Sequence, residues 1–79
     1  MRQIITTPAQ VGQILHSARR ARGLSQQKAG VRLGLSQNRL SELKKGANGI
    51  SLSQLLAMTA LYGLQIEIAS RGTPPQAEW

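Results

Sequence analysis

Residues 24–46 read LSQQKAGVRLGLSQNRLSELKKG, and their pattern predicts the central part of the fold. Two short helix-forming segments flank Gly34, and each is preceded by a serine that can act as its N-cap, Ser25 for the first and Ser36 for the second. Gly34 can adopt the left-handed conformation that ends the first segment. The spacing therefore predicts two helices joined by a tight turn. Their predicted bounds are residues 26–33 and 37–45.

Helical patterns also lie on both sides of this stretch. Residues 7–10 predict a helix start, with a threonine N-cap, proline in the first position and a glutamine able to close a capping box. A fourth helix is predicted from Ser51 to Gly63, with a wide apolar stripe. The apolar positions are Val11, Ile14, Leu15 and Ala18 in the first helix, and Leu52, Leu55, Leu56, Met58 and Leu61 in the fourth.

The C-terminal part changes its pattern. Residues 64–69 alternate between apolar and polar side chains, which predicts a half-buried β-strand. A strand needs a neighbour, and the candidates are residues 2–6 of the same chain or the same segment of a second subunit. Because 79 residues without cysteine bury only a small core, we expect a homodimer. The predicted dimer interface consists of Leu56, Leu61, Tyr62, Leu64, Ile66 and Ile68.

Positive charge is concentrated in the first 46 residues. This half holds nine of the ten Lys and Arg residues and one acid, Glu42, for a net charge of +8, whereas residues 47–79 carry −1. A basic half joined to a near-neutral, apolar half suggests that one half binds a polyanion. The alternative is that the charge only keeps a small protein in solution.

The composition argues against several other classes of function. His16 is the single histidine, cysteine is absent, and the three acidic residues are scattered, so we predict neither an enzyme nor a bound metal or cofactor. Tyr62 and Trp79 are too few aromatic residues for an RNA-stacking platform. The apolar runs are too short to span a bilayer and no signal sequence is evident, so we expect a bacterial cytoplasmic protein, located on the nucleoid when it binds DNA.

Residues 24–46 resemble the helix-turn-helix of phage-repressor-like (Cro/C1, XRE) regulators. The usual run in that family is Leu, Ser/Thr, Gln, two variable positions, Leu, Ala, three variable positions, Gly, and then Val/Ile/Leu and Ser/Thr. This chain departs from it at Ala29, which replaces the usual leucine, and at Lys44, which replaces a common glutamate. The resemblance implies an all-α, lambda-repressor-like domain of four to five short helices whose third helix enters the DNA major groove.

The resemblance also assigns roles to individual side chains. It implies that Gln26 contacts a phosphate and supports Gln37, the first base-reading residue. Glutamine and asparagine can bond bidentately to adenine and arginine to guanine, so Gln37, Asn38 and Arg39 suit base edges. The full set of predicted DNA-binding residues is Ser25, Gln26, Ser36, Gln37, Asn38, Arg39, Ser41, Glu42, Lys45 and Asn48.

Two alternatives remain open for this region. Glu42 could accept a hydrogen bond from a cytosine amino group, or it could pair with Lys45 or Arg39. The second and third helices could also be solvated, basic helices of a protein-binding module, with Gln37 and Asn38 as ordinary surface residues. If a two-fold dimer binds DNA, its operator should be a pseudo-palindrome with half-sites about 34 Å apart.

The layout of the whole chain resembles HipB antitoxins of bacterial persistence modules, which have four helices, a lone C-terminal strand and a short tail ending in Glu-Trp. The resemblance implies that strands pair across the dimer, that the dimer represses its own operon, and that it binds a HipA-type serine/threonine kinase toxin. Trp79 could anchor the tail to that toxin, or the tail could have no role. The alternative is a stand-alone phage or metabolic regulator. We expect a DNA-binding and dimerisation domain over residues 1–70 and a flexible tail over residues 71–79.

Overall fold

The computed structural model describes residues 2–72, and this part of the chain contains four helices. They are α1 (Pro8–Ala21), α2 (Gln26–Leu33), α3 (Gln37–Leu43) and α4 (Leu52–Tyr62). The all-helical prediction is confirmed, but α3 ends two residues earlier than predicted. Lys44 is its C-cap, and the next two backbone N–H groups donate to carbonyls three residues back, which forms a tight turn instead of more α-helix. Within residues 2–72, no helix has the length and hydropathy needed to cross a membrane.

Hydroxyl side chains begin all four of these helices. Thr7 Oγ1 accepts a hydrogen bond from the Gln10 backbone N–H at 3.3 Å, and Gln10 Oε1 accepts from the Thr7 N–H at 2.9 Å. The predicted capping box is therefore confirmed. Ser25, Ser36 and Ser51 each accept from the backbone N–H three residues further on. An N-cap stabilises a helix by about 0.5–2 kcal/mol, so these residues determine where the short helices begin.

The core lies where the four helices meet. Helix α1 packs against α4, and α2 contacts both α3 and α4. The buried apolar side chains are Leu15 from α1, Ala29 from α2, Leu40 and Leu43 from α3, and Met58 and Tyr62 from α4. Burial of a leucine side chain contributes roughly 1.5–3 kcal/mol, so the two leucines hold α3 from its inner side and leave the opposite side uncovered.

The apolar stripe of α4 is only partly buried. Met58 is 2% exposed, and Leu55 and Leu61 are half-buried against the core. Leu52 and Leu56 are 69% and 48% exposed, because the other helices cover only one side of α4. Helix α4 therefore presents apolar surface on its outer side.

Residues 64–72 form no helix, and residues 2–72 contain no strand. The predicted C-terminal strand is not confirmed in the single chain, because a strand exists only when its backbone bonds to a neighbouring strand. Residues 2–6 do come near this segment, and Arg2 Nη2 lies 3.9 Å from Glu67 Oε2. Both side chains are mostly exposed, so this ion pair contributes little to stability.

Candidate nucleic-acid interface

The turn between α2 and α3 has the geometry that its sequence predicts. Gly34 ends α2 with φ 70° and ψ 30°, in the left-handed region that glycine adopts without a Cβ penalty. The Leu35 backbone N–H donates to the Gly30 carbonyl at 2.9 Å, and the Leu35 side chain is half-buried against the core. Ser36 then begins α3. These contacts fix the position of α3 relative to α2.

The outer face of α3 carries three exposed, uncharged polar side chains, those of Gln37, Asn38 and Ser41. They lie opposite Leu40 and Leu43, which are 7% and 3% exposed. Within residues 2–72 none of the three polar side chains makes a hydrogen bond to another residue. Their donors and acceptors are therefore available to a ligand.

Ser25 and Ser36 are exposed at the starts of α2 and α3. Their Oγ atoms accept hydrogen bonds from the backbone N–H groups of Lys28 and Arg39, at 3.1 Å in each case. A hydroxyl that accepts one bond can still donate its own hydrogen. Each serine can therefore cap its helix and donate to a phosphate oxygen at the same time.

Arg39 and Glu42 differ from the other polar residues of α3 because they bond to each other. Arg39 Nη1 lies 3.4 Å from Glu42 Oε2, and Arg39 Nη2 donates to the Asn48 carbonyl at 3.4 Å. The sequence leaves three options for Glu42, and pairing with Arg39 is the one that the structure shows. The Arg39 side chain is 33% exposed and lies over the loop that follows α3.

The remaining predicted contacts surround α3. Gln26 is half-buried at the start of α2, whereas Lys45 and Asn48 are exposed after the end of α3. In the described part of the chain, no hydrogen bond joins Gln26 to Gln37. The support of Gln37 by Gln26 is not formed in the protein alone and stays a prediction.

Helix α1 fixes the far end of α3. Gly12 approaches α3 so closely that a Cβ atom there would overlap the carbonyl oxygen of Leu43. Gln13 Nε2 donates to the Lys44 carbonyl at 3.0 Å. The Ala47 N–H donates to the Pro8 carbonyl, also at 3.0 Å. The loop after α3 is therefore attached to the start of α1.

The arrangement of α2, the turn and α3 matches that of a known protein family. A family profile described as "Helix-turn-helix domain" matches residues 10–70, which include α2, the turn and α3. The chain belongs to the helix-turn-helix domain family. The match confirms the resemblance of residues 24–46 to XRE-type DNA-binding regulators.

Solved structures share the fold of this helix-turn-helix protein. A HipB–O2 20mer complex aligns with a TM-score of 0.75 at 17% identity, covering 89% of this chain and 97% of that chain. The HipA–HipB–O2–O3 complex gives 0.74 at 17% identity, with 87% and 97% covered. The restriction-modification controller protein C.AhdI from Aeromonas hydrophila gives 0.63 at 26% identity, with 72% and 86% covered. No curated protein sequence matches the chain.

Arg19 has a role in the helix-turn-helix that the sequence analysis missed. Its side chain is buried, Nη1 donates to the Leu24 carbonyl at 2.5 Å, and Nη2 lies 3.5 Å from His16 Nδ1. The bond to Leu24 holds the residue just before Ser25, the N-cap of α2. The available signal was spacing, because Arg19 follows Leu15 by four residues and so lies on the buried face of α1.

The predicted dimer residues differ in exposure. Leu56, Ile66 and Ile68 are exposed, Leu61 and Leu64 are half-buried, and Tyr62 is buried in the core. Tyr62 is 3% exposed and offers little surface to a second subunit. Burial raises the pKa of its hydroxyl, which has no hydrogen-bond partner within residues 2–72. The exposed and half-buried aliphatic residues are the ones that a second subunit can cover.

Trp79, the predicted toxin contact, lies outside the described residues, as do Met1 and residues 73–78. Among residues 2–72, no group of three or more His, Cys, Asp or Glu side chains is placed to hold a metal ion.

Proposed function

We propose that this chain is a sequence-specific DNA-binding repressor that places α3 in the major groove. The observation that carries the proposal is the outer face of α3, where Gln37, Asn38 and Ser41 are exposed and their side chains bond to no other residue among residues 2–72. Glutamine and asparagine can bond to adenine N6 and N7 together, and serine can bond to several base edges. Each good bidentate contact contributes about 1–3 kcal/mol of discrimination against the wrong base pair.

Side chains around α3 contact phosphates in this proposal. Ser25 and Ser36 each keep a hydroxyl hydrogen to donate, and Gln26, Lys45 and Asn48 lie at the start of α2 and after the end of α3. Such contacts fix the register of a protein on DNA without reading sequence. Each phosphate charge that Lys45 or another cation neutralises steepens the log-log salt dependence of binding by ~0.9.

The repressor acts as a homodimer in which residues 64–69 of two subunits pair. The exposed aliphatic side chains of Ile66 and Ile68 support this pairing, since a single chain leaves them 42% and 98% exposed. A two-fold dimer presents two copies of α3 to half-sites about 34 Å apart, so the operator is a pseudo-palindrome. Residues 1–70 then form the DNA-binding and dimerisation domain, and residues 71–79 form a tail.

Competition binding tests the base-reading role of α3. The duplex is the DNA upstream of the gene for this chain, and the competitor is a scrambled duplex of the same composition. Gln37→Ala should weaken binding to the preferred duplex by about 5- to 150-fold and leave binding to the scrambled duplex unchanged. Gln27→Ala, an exposed glutamine on α2 with no predicted base contact, is the matched control. An equal loss on both duplexes would contradict base reading by Gln37.

We further propose that the repressor is the antitoxin of a HipBA-like toxin–antitoxin module. In this role it represses its own operon and helps to neutralise a HipA-type serine/threonine kinase, with Trp79 as a contact. The support is a fold likeness to HipB over 89% of the chain, together with a similar structure that contains HipA, HipB, O2 and O3. A stand-alone regulator is the second candidate, favoured by the 26% identity to the controller protein C.AhdI.

Co-purification separates these two candidates. The full chain is expressed with the product of the adjacent gene, and the antitoxin proposal predicts a kinase-like protein that remains bound to it. Deletion of residues 72–79 should weaken kinase binding and neutralisation while leaving DNA affinity unchanged. A neighbouring product that does not bind would favour the stand-alone regulator, and full neutralisation by the deletion variant would exclude the role of Trp79.

A further inference from the structure

Arg39 lies on α3 but does not extend from its outer face. Its guanidinium joins two groups, the Glu42 carboxylate and the Asn48 backbone carbonyl, each at 3.4 Å. The backbone of Gly49 adjoins the same guanidinium, since a Cβ atom at Gly49 would lie 3.4 Å from Arg39 Nη2. The side chain is therefore directed toward the loop after α3, unlike those of Gln37 and Asn38, which are exposed.

Arg39 supplies one of the hydrogen bonds that attach the loop after α3 to the helices. The Ala47 N–H bonds to the Pro8 carbonyl at the start of α1, and the next residue, Asn48, accepts from Arg39. Asn48 is exposed, and its side chain is a predicted phosphate contact. The bond from Arg39 therefore sets the position of Asn48 relative to Gln37, the first residue of α3.

The Arg39–Glu42 pair also affects the net charge of the surface around α3. The Glu42 side chain is 68% exposed on α3, the helix proposed to approach DNA. A carboxylate without a partner would repel the phosphates, and the adjacent Arg39 guanidinium compensates its charge. The pair is neutral as a unit, so it adds no net charge to the DNA-binding face.

We propose that Arg39 is a positioning residue, which with Glu42 forms a neutral pair that holds the Asn48 loop against α3, and that neither side chain reads a base pair. The proposal rests on the proposed function, in which α3 reads DNA. Selectivity then comes from the uncharged residues of the outer face, Gln37, Asn38 and Ser41. An arginine in this role acts equally on every duplex, whereas an arginine bonded to guanine acts at one base pair.

The test measures dissociation constants of the full chain on its preferred duplex and on every single-base-pair variant of that duplex. Arg39→Ala should weaken all of them by a similar factor, roughly fivefold or more, because Glu42 loses its compensating charge and Asn48 loses its anchor. Glu42→Gln should leave binding unchanged or strengthen it on all of them. The double variant Arg39→Ala/Glu42→Gln should recover part of the affinity that Arg39→Ala loses.

The salt dependence of binding provides a control, because it changes when a phosphate contact is lost but not when a purely structural contact is lost. The double variant removes one positive and one negative charge, so its log-log salt slope should equal that of the wild type. Lys45→Ala removes a predicted phosphate contact and should reduce the slope by ~0.9. A reduced slope in the double variant would show that Arg39 contacts a phosphate and would overturn the proposal.

A loss of preference at one base pair, about 5- to 150-fold in Arg39→Ala or Glu42→Gln, would show direct reading and would also overturn it. Thermal unfolding checks that each variant is folded, as expected when a partly exposed ion pair is removed. If Arg39→Ala is unfolded, Arg39→Lys replaces it in the test, since lysine keeps the positive charge but not the fixed geometry of the guanidinium donors. The loss of affinity in Arg39→Lys should again be similar on all duplexes. A wild-type chain with no preference among duplexes would instead refute the proposed function.

Discussion

Residues 24–46 and residues 64–72 differ in what they need to reach their structure. In the first segment, Ser25 and Ser36 find their capping partners three residues away, and Leu40 and Leu43 reach the core of the same chain. In the second segment, residues 64–69 alternate between apolar and polar side chains but pair with no strand within residues 2–72. Ile68 is 98% exposed. Local hydrogen bonds and one small core therefore complete residues 24–46, whereas residues 64–72 form no helix or strand within the single chain.

The largest expected effect comes from breaking the support of the first segment. Gly12→Ala would place a Cβ atom against the Leu43 carbonyl at the end of α3, so the backbone must shift. Overpacking of this kind costs about 1–3 kcal/mol or more, and each kcal/mol lowers the melting temperature by roughly 4–8 °C. Thermal unfolding followed by circular dichroism measures the change.

Gly46→Ala is the matched control for Gly12→Ala. The nearest atom to its added Cβ, Asn48 Nδ2, would lie at an ordinary contact distance of 3.5 Å. This variant should melt close to the wild type. Equal melting temperatures for all three proteins would contradict the close approach of α1 to α3.

The next effect concerns the exposed aliphatic side chains of residues 64–69. Ile66→Asp and Ile68→Asp place charges where a second subunit should cover aliphatic side chains, and we expect the dimer dissociation constant to rise on the order of tenfold or more. The helix content should not change, because neither residue belongs to the core. Sedimentation velocity measures the assembly, with Val31→Asp as a control at an exposed position on α2, away from residues 2–6 and 64–69. A wild type that is monomeric at micromolar concentration would disprove the dimer.

A smaller effect is expected from a single cap in the first segment. Ser36→Ala removes the hydroxyl that accepts from the Arg39 N–H, and loss of an N-cap costs about 0.5–2 kcal/mol. Urea unfolding should show a lower midpoint. Ser70→Ala, at an exposed position outside every helix, should leave the midpoint unchanged. If the two variants unfold alike, the cap of α3 contributes no stability.

The smallest effect concerns pH. Partial burial, together with Lys44, Arg19 and Arg20, lowers the pKa of His16 below 6.5. The unfolded chain therefore takes up a proton more readily than the folded chain, so stability is at its full value above pH 6.5 and decreases as the pH falls toward the lowered pKa. Unfolding midpoints at about pH 7.5 and about pH 5 should differ more for the wild type than for His16→Gln. An identical pH dependence in both proteins would contradict this role of His16.

The fold could largely be predicted from sequence because its signals are local. Thr7 with Gln10, and Ser36 with the N–H of Arg39, interact within a single helical turn. The early end of α3 at Leu43 was missed, since the choice between a tight turn and another helical turn depends on packing around the loop. The strand over residues 64–69 was predicted from alternation alone, which does not supply its partner.

The sequence predicted which residues of the candidate site are exposed, but not all of the contacts that arrange them. Gln37, Asn38 and Ser41 are exposed as expected, because the helical spacing of Leu40 and Leu43 sets the opposite face. The attachment of Arg39 to Asn48 spans nine residues, and no local pattern in the sequence indicates it.

Selection of binding sites from a random pool of duplex DNA tests most directly whether α3 reads base pairs. If α3 reads base pairs, the wild type should enrich a pseudo-palindrome with half-sites about 34 Å apart. Gln37→Ala should lose the preference at one position of each half-site while the other positions stay unchanged. A pool that shows no enriched sequence after selection by the folded wild type would contradict base reading by α3.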